Sequence, residues 1–389
     1  MSTQTRSPRT LLGAAATRRG IIVLAAALIV AVLIIATGGD PLVAVGGWFR
    51  GAFGTGYNLT QTLVYAVPLA LIGIGVSGAL RAGIITVGAE GQMIAGAIAA
   101  TATSLFLGPD VPIWLALPLG AGVGALAGAA WAFLPALGRA RWGVNEILAT
   151  LLANYLALYL LKYLLRTSLR DPGGSATPQS AQLPDPFLLP QLPVPGRLHA
   201  GILILLIIVA VAVYLGRGKR RFLQDVYGQR PLLAARAGYD QTRAVFGTML
   251  VSGAFAGLAG WMQLAGVDER LQPGISAGIG FAGIAVCVLG RGAPLGILAA
   301  AIAYASLTTG ANGIQVATGT TPAAIGTVSQ GILLLAAALI IAIPVVRRTR
   351  KPATGSAAQP GNAAPTETSE NTKNTENTEN TEEVSDGQR

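Results

Sequence analysis

Polar and ionisable side chains set inside long apolar runs are the residues here with chemistry to do. Glu90 and Gln92 sit in Ile85-Thr86-Val87-Gly88-Ala89-Glu90-Gly91-Gln92, where two glycines flank the acid. Asn145 and Glu146 open another apolar run, and Asn154 follows nearly on their helical face. Gln263 lies late in a further run, and Asn312 and Gln315 occupy the glycine-bounded stretch from Gly310 to Gly319, read as a turn. An ionisable group at the centre of a bilayer costs about 2.5–3.5 kcal/mol on insertion scales, so its presence asks for a reason. With one histidine (His199) and one cysteine (Cys287), no catalytic constellation, disulfide framework or metal site can be assembled. The chemistry left is hydrogen bonding: Glu90, Gln92, Asn154, Gln263, Asn312 and Gln315 are candidates to line a polar path, with no covalent step.

Each has a plainer reading beside it. Glu90 suits a buried acid paired with a neighbour or a helix terminus, with Gly88 and Gly91 marking a break or a close backbone approach. Asn145 and Glu146 suit helix-capping groups as well as gating ones. Asn154 suits an interhelical hydrogen bond, and Asn312 and Gln315 suit groups that satisfy turn backbone. Cys287 reads as an apolar filler and His199 as a surface residue.

The elements that must position these groups are membrane helices. Of 389 residues 52% are hydrophobic and only 11% charged, with mean hydropathy +0.58; a soluble domain carries roughly 25% charge. Ten apolar segments are expected, at about 20–37, 58–80, 83–107, 113–137, 144–165, 198–216, 244–265, 275–290, 294–310 and 323–346. The first follows Arg6, Arg9, Arg18 and Arg19 and reads as an uncleaved helix rather than a signal peptide. Residues 41–56, with Trp48 and Phe49 beside Arg50, suit an interfacial helix. The fold class is therefore all-α and polytopic: a cytoplasmic segment 1–19, a transmembrane region 20–346 and a disordered cytoplasmic tail 347–389 that repeats Asn-Thr-Glu. With both termini inside, all 27 basic residues fall on the cytoplasmic side except Arg50, Lys162, Arg166, Arg170, Arg197 and Arg270. This distribution explains the +10 formal charge without nucleic acid.

Two connections are long. Residues 166–197 hold seven prolines and read as an external lid or docking surface rather than a helix. Residues 217–243 form a basic cytoplasmic loop. Gly120, Gly124 and Gly128, like Gly253 and Gly257, recur every four positions and read as packing faces. Pro68, Pro118 and Pro135 should kink or interrupt their helices.

The run from Phe281 to Arg291, continued by Pro294 to Ile297, resembles the permease subunits of ABC importers for simple sugars and nucleosides, within the wider branched-chain amino acid/ribose permease superfamily. More narrowly it is similar to the nucleoside-type branch. The Gly88–Gln92 stretch, Gly143-Val144-Asn145-Glu146-Ile147 with Asn154-Tyr155, and Gly310–Pro322 agree in order, so the resemblance covers roughly 57–345. It implies a multi-pass subunit of a bacterial cell (inner) membrane that passes a small polar solute, nucleoside first and simple sugar second. It also implies a separate ATPase subunit that binds the ATP, an external solute-binding lipoprotein and a second related permease, as heterodimer or homodimer. No cofactor is implied, and no phosphate-cradling Gly-rich loop with its Lys-Ser/Thr pair is present. Gly228, Arg230, Pro231 and Gly238 resemble the segment that docks on the ATPase, and Arg236 and Arg243 join that candidate set. Thr86, Asp225 and Arg230 depart from the family's usual residues. The competing expectation is an ATP-independent secondary transporter or channel with Glu90 as its coupling or selectivity group.

Overall fold

The computed structural model describes residues 8–174, 176–216 and 218–342. The Asn-Thr-Glu tail, and residues 1–7 of the N-terminal segment, lie outside them. Every regular element described is helical: α1 Pro8–Ala36, α2 Pro41–Phe53, α3 Gly56–Arg81, α4 Ala89–Leu107, α5 Ile113–Trp142, α6 Glu146–Leu164, α7 Gly201–Leu215, α8 Lys219–Gln229, α9 Pro231–Arg236, α10 Gln241–Gln263, α11 Ile279–Leu289, α12 Pro294–Thr318 and α13 Ile325–Ala342. Among these, α3, α5, α6, α12 and α10 with its π-helical extension to Asp268 are each long and apolar enough to cross a membrane. Residues 20–36 of α1 and helix α2 add a sixth span if taken as one segment bent by 105°.

Each of the ten expected segments overlaps a helix, though not with every expected detail. Residues 82–88 are not helical, so α4 starts at Ala89, inside the segment expected at 83–107. The acid between two glycines does mark a break. The stretch holding Asn312 and Gln315 is the last part of α12 rather than a turn. Its glycines serve close packing: a Cβ on Gly313 would strike the backbone of Gly47 and Gly51 in α2, and one on Gly310 would strike the Trp48 ring. Helix α2 is thus seated along α12, not only placed to hold aromatic side chains at an interface. Pro68, Pro118 and Pro135 lie within continuous helices α3 and α5, so they interrupt neither.

The glycine faces meet as their spacing suggests. Gly124 and Gly128 of α5 press on Gly253 and Gly257 of α10, and Gly96 of α4 joins at Gly257. Small residues let backbones approach where lipid supplies little hydrophobic drive between helices. The main core is aliphatic, with Trp261 and Phe187 its largest fully buried side chains.

The proline-rich connection packs as a cap. Leu183, Phe187 and Leu189 are buried, with a single 3-10 turn at Asp185–Phe187. Backbone bonds from Ser180 to Leu271, Leu183 to Glu269 and Leu189 to Ala265 tie it to the segment after α10. His199, expected at the surface, is 1% exposed. Its ring fits against Gly201 and Gly266, which leave room for it, and Nδ1 accepts from the Gly201 N–H at 3.1 Å.

Candidate functional site

A cavity of about 930 Å³ opens among the helices. One wall is α3, whose Tyr57, Gln61 and Tyr65 stand four positions apart and so share a face, with Asn58 beside them. Helix α12 adds Thr309, Asn312 and Val316, and α2 adds Gly47, Arg50 and Gly51. Arg197 enters from the cap, and Gln263 and Val267 from the end of α10. That end is a π-helical turn, Leu264–Asp268, and Glu269 beyond it is left-handed at φ 57°. Such a turn re-aims side chains at a helix end. Gln263 Nε2 donates to Asp268 at 3.1 Å, and Gln272 Nε2 donates to the other carboxylate oxygen at 3.1 Å.

Of the six path candidates, Gln263 and Asn312 line this cavity and the other four do not. Gln315 is exposed on the last part of α12. Glu90, Gln92 and Asn154 gather at the broken start of α4. Asn154 Oδ1 accepts from Gly91 N–H at 2.9 Å, and its Nδ2 donates to the Val87 carbonyl at 2.9 Å. Both ends of the amide are therefore used to hold the break against α6. Thr150 adds a second tie, accepting from Val87 N–H at 3.3 Å, and Thr86 accepts from Gly88 N–H at 3.4 Å. The Glu90 carboxylate accepts from Gly278 N–H at 3.0 Å and Gly280 N–H at 2.8 Å. These belong to the start of α11, whose free N–H groups and dipole attract an anion. Gln92 is buried beside Gly88, its Oε1 without a partner among the described residues.

Asn145 is the N-cap of α6, accepting from Ile147 and Leu148 N–H at 2.9 and 3.3 Å. Glu146 pairs with Arg139 at 3.3 Å across the α5–α6 corner. Gly143, left-handed at φ 65°, turns that corner.

The basic connection folds into α8 and α9. Arg230 is the non-helical residue between them and Pro231 begins α9, where a missing N–H costs nothing. Gly228 lies against the Arg81 carbonyl at the end of α3. Gly238 is left-handed at φ 78°, and Arg243 donates to its carbonyl. Leu223, Val226, Tyr227, Ala234 and Tyr239 pack with Ala79 of α3, Ala82 just after it, Ala136 of α5 and Val245 and Met249 of α10. Phe222, Leu232 and Leu233 stay exposed, Leu232 by 82%, as do Arg230 and Arg236.

The sequence reading missed most of the cavity lining: Arg50, Tyr57, Asn58, Gln61, Tyr65, Arg197 and Thr309. A signal was present for four of them, because Tyr57, Asn58, Gln61 and Tyr65 make a polar stripe at helical spacing in an otherwise apolar span.

Comparison with known proteins bears on what this scaffold is for. Residues 58–341 match the family model described as branched-chain amino acid transport system / permease component. The chain belongs to this family. It is similar to the glucose ABC transporter permease protein of Haloferax volcanii, 35% identical over 315 residues that cover 77% of this chain and 81% of the relative. It is also similar to a guanosine ABC transporter permease protein of Bacillus subtilis, 31% identical over 70% of this chain and 78% of the relative. The nucleoside ABC transporter permease protein of Lactococcus lactis is 28% identical over 72% of this chain and 79% of the relative. No solved structure matches the chain significantly. Membership in the permease family makes this chain a membrane subunit of an ATP-binding-cassette transporter, not an enzyme, with ATP hydrolysis on a separate subunit.

Proposed function

We propose that this permease passes a small polar solute, a nucleoside before a simple sugar, inward through a path that begins at the cavity between α2, α3 and α12. The observation that carries the reading is the cavity itself. It presents the side-chain amides of Asn58, Gln61, Gln263 and Asn312 and the phenols of Tyr57 and Tyr65 in a chain otherwise rich in apolar helices. Amides and phenols hold a hydroxylated or heteroaromatic solute weakly enough to release it, which transport requires. Two of the relatives are nucleoside or guanosine permeases and one is a glucose permease, which supports this order of preference.

In this reading the chain crosses a bacterial inner membrane ten times with both termini cytoplasmic, the cap of residues 166–197 outside and α8–α9 inside. The basic residues divide accordingly. Helices α8 and α9 dock on the ATPase through Phe222, Leu232, Arg230 and Arg236, while Gly228, Pro231, Gly238 and Arg243 shape that segment. A second related permease completes the path, and an external lipoprotein delivers the solute. Glu90, Gln92 and Asn154 act at the broken start of α4, where Glu90 and Asn154 hold the break in place; Gln315 lies beyond the cavity on α12, and Asn145 and Glu146 set the entry of α6.

Uptake of labelled inosine and of glucose by cells carrying the whole transporter tests the reading. Asn312→Ala should slow uptake several-fold at unchanged membrane abundance. Uptake that survives ATP depletion but fails when the proton gradient is collapsed would instead favour the secondary-transport alternative.

A further inference from the structure

The cavity's inventory of donors and acceptors is lopsided. Two arginines, Arg50 and Arg197, line it, and no aspartate or glutamate does. Neither guanidinium has an ion-pair or hydrogen-bond partner among the described residues. The acid nearest in sequence to a lining residue, Asp268, already accepts from the amides of Gln263 and Gln272. Groups that only donate call for acceptors on the solute. A guanidinium fork instead matches two adjacent acceptors on one planar edge.

The segments carrying both arginines are fixed to the first turns of α3. Asn58 Nδ2 donates to the Arg50 carbonyl at 2.7 Å. Thr60 Oγ1 donates to the carbonyl of Pro195, two residues before Arg197, at 2.5 Å. Gly196 between them is left-handed at φ 107° and lies against Thr60. Tyr57 and Tyr65 rise on the same helix and offer flat faces to a ring. Arginine forks and stackable phenols thus share one wall system, held by backbone contacts rather than by the solute, which lowers the ordering cost of binding. Arg50 moreover precedes the stretch matched by the family model, so α2 supplies a part of the cavity that the matched region does not contain.

We propose that Arg50 and Arg197 are the specificity-determining residues of this permease. They select a planar solute edge with two neighbouring acceptors, as in the carbonyl oxygen and ring nitrogen of a 6-oxopurine nucleoside, over an edge with a donor and over a simple sugar. A good bidentate arginine contact to such an edge discriminates by about tenfold or more. The assignment rests on the importer reading above.

The test uses the complete transporter, with its ATPase, second permease and binding protein, in proteoliposomes. Inosine, adenosine and glucose uptake are measured for wild type, Arg50→Gln, Arg197→Gln and Arg50→Lys. The expected result is a preference for inosine in wild type. Each glutamine variant then loses about tenfold in inosine uptake, while adenosine and glucose uptake change less than about twofold. Arg50→Lys keeps the charge but not the fork, and should recover less than half of the lost preference. An unchanged inosine-to-adenosine ratio in both glutamine variants overturns the proposal, as does an equal loss for all three solutes, which would mark a role in docking or assembly. Failure of the importer reading looks different: uptake persists without ATP, whatever happens to the ratio.

Discussion

Asn154 shows how much one side chain can hold in place where water is scarce. Its amide satisfies a donor at Gly91 and an acceptor at Val87 in the non-helical stretch before α4. Asn154→Leu would fit the space yet leave both backbone groups unpaired, at a cost of about 1–3 kcal/mol for each. Thermal unfolding in detergent should register this as a clear fall in midpoint, with uptake falling alongside it. Glu90 is a sharper case, because its two oxygens each receive one N–H from the start of α11. Glu90→Gln keeps one acceptor and sets an amide donor against the other N–H, so stability should fall further than for a neutral surface change. If Glu90 instead coupled transport to protons, Glu90→Gln would abolish gradient-dependent uptake while sparing stability. Much of this was legible in the sequence: an acid between glycines marks a break, and an asparagine ahead of a glutamate marks a cap. The partners were not legible, since Gly278 lies 188 positions from Glu90 and no local pattern links them.

At the scale of elements, the four-residue glycine rhythm of α5 and α10 was readable, and it joins the two helices as expected. A Cβ on Gly257 would collide with the carbonyl oxygen of Gly124, whereas one on Gly122 meets nothing within 4 Å. Gly257→Ala should therefore lower the unfolding midpoint, since overpacking costs about 1–3 kcal/mol, and Gly122→Ala should leave it unchanged. The end of α12 was misread as a turn because glycine at Gly310 and Gly313 signals both turns and close helix contacts; only the presence of α2 on that face decides between them. The connection 166–197 holds one short 3-10 turn and no α-helix among its described residues; the burial of His199 just after it was not foreseen, because Leu198-His199-Ala200 carries no periodic cue.

Across the whole molecule, two helices connect the candidate site to the candidate lever. Helix α3 begins at the cavity with Tyr57, Gln61 and Tyr65, and its last turns enter the cluster that anchors α8 and α9. Helix α10 starts in that same cluster at Ala244 and Val245 and reaches the cavity at Gln263. Packed helices transmit displacement as near-rigid bodies because their cores compress little. A push on α9 would then move the α3 wall and the Gln263 end of α10 together, closing or opening the site without any local change near the solute. The exposed Leu232 and Arg236 are the surface on which such a push would act. Leu232→Asp and Arg236→Glu leave the buried anchor Ala234 intact, so the fold and the cavity should persist. The expected outcome is ATP hydrolysis by the assembled transporter at near-normal rate with inosine uptake reduced at least about tenfold, read as solute moved per ATP consumed. Ala234→Asp, which puts a charge into the anchor itself, should instead lower both the unfolding midpoint and assembly. Unchanged solute per ATP in the two surface variants would mean that α9 is not the lever, and the coupling path would have to enter α3 or α10 elsewhere.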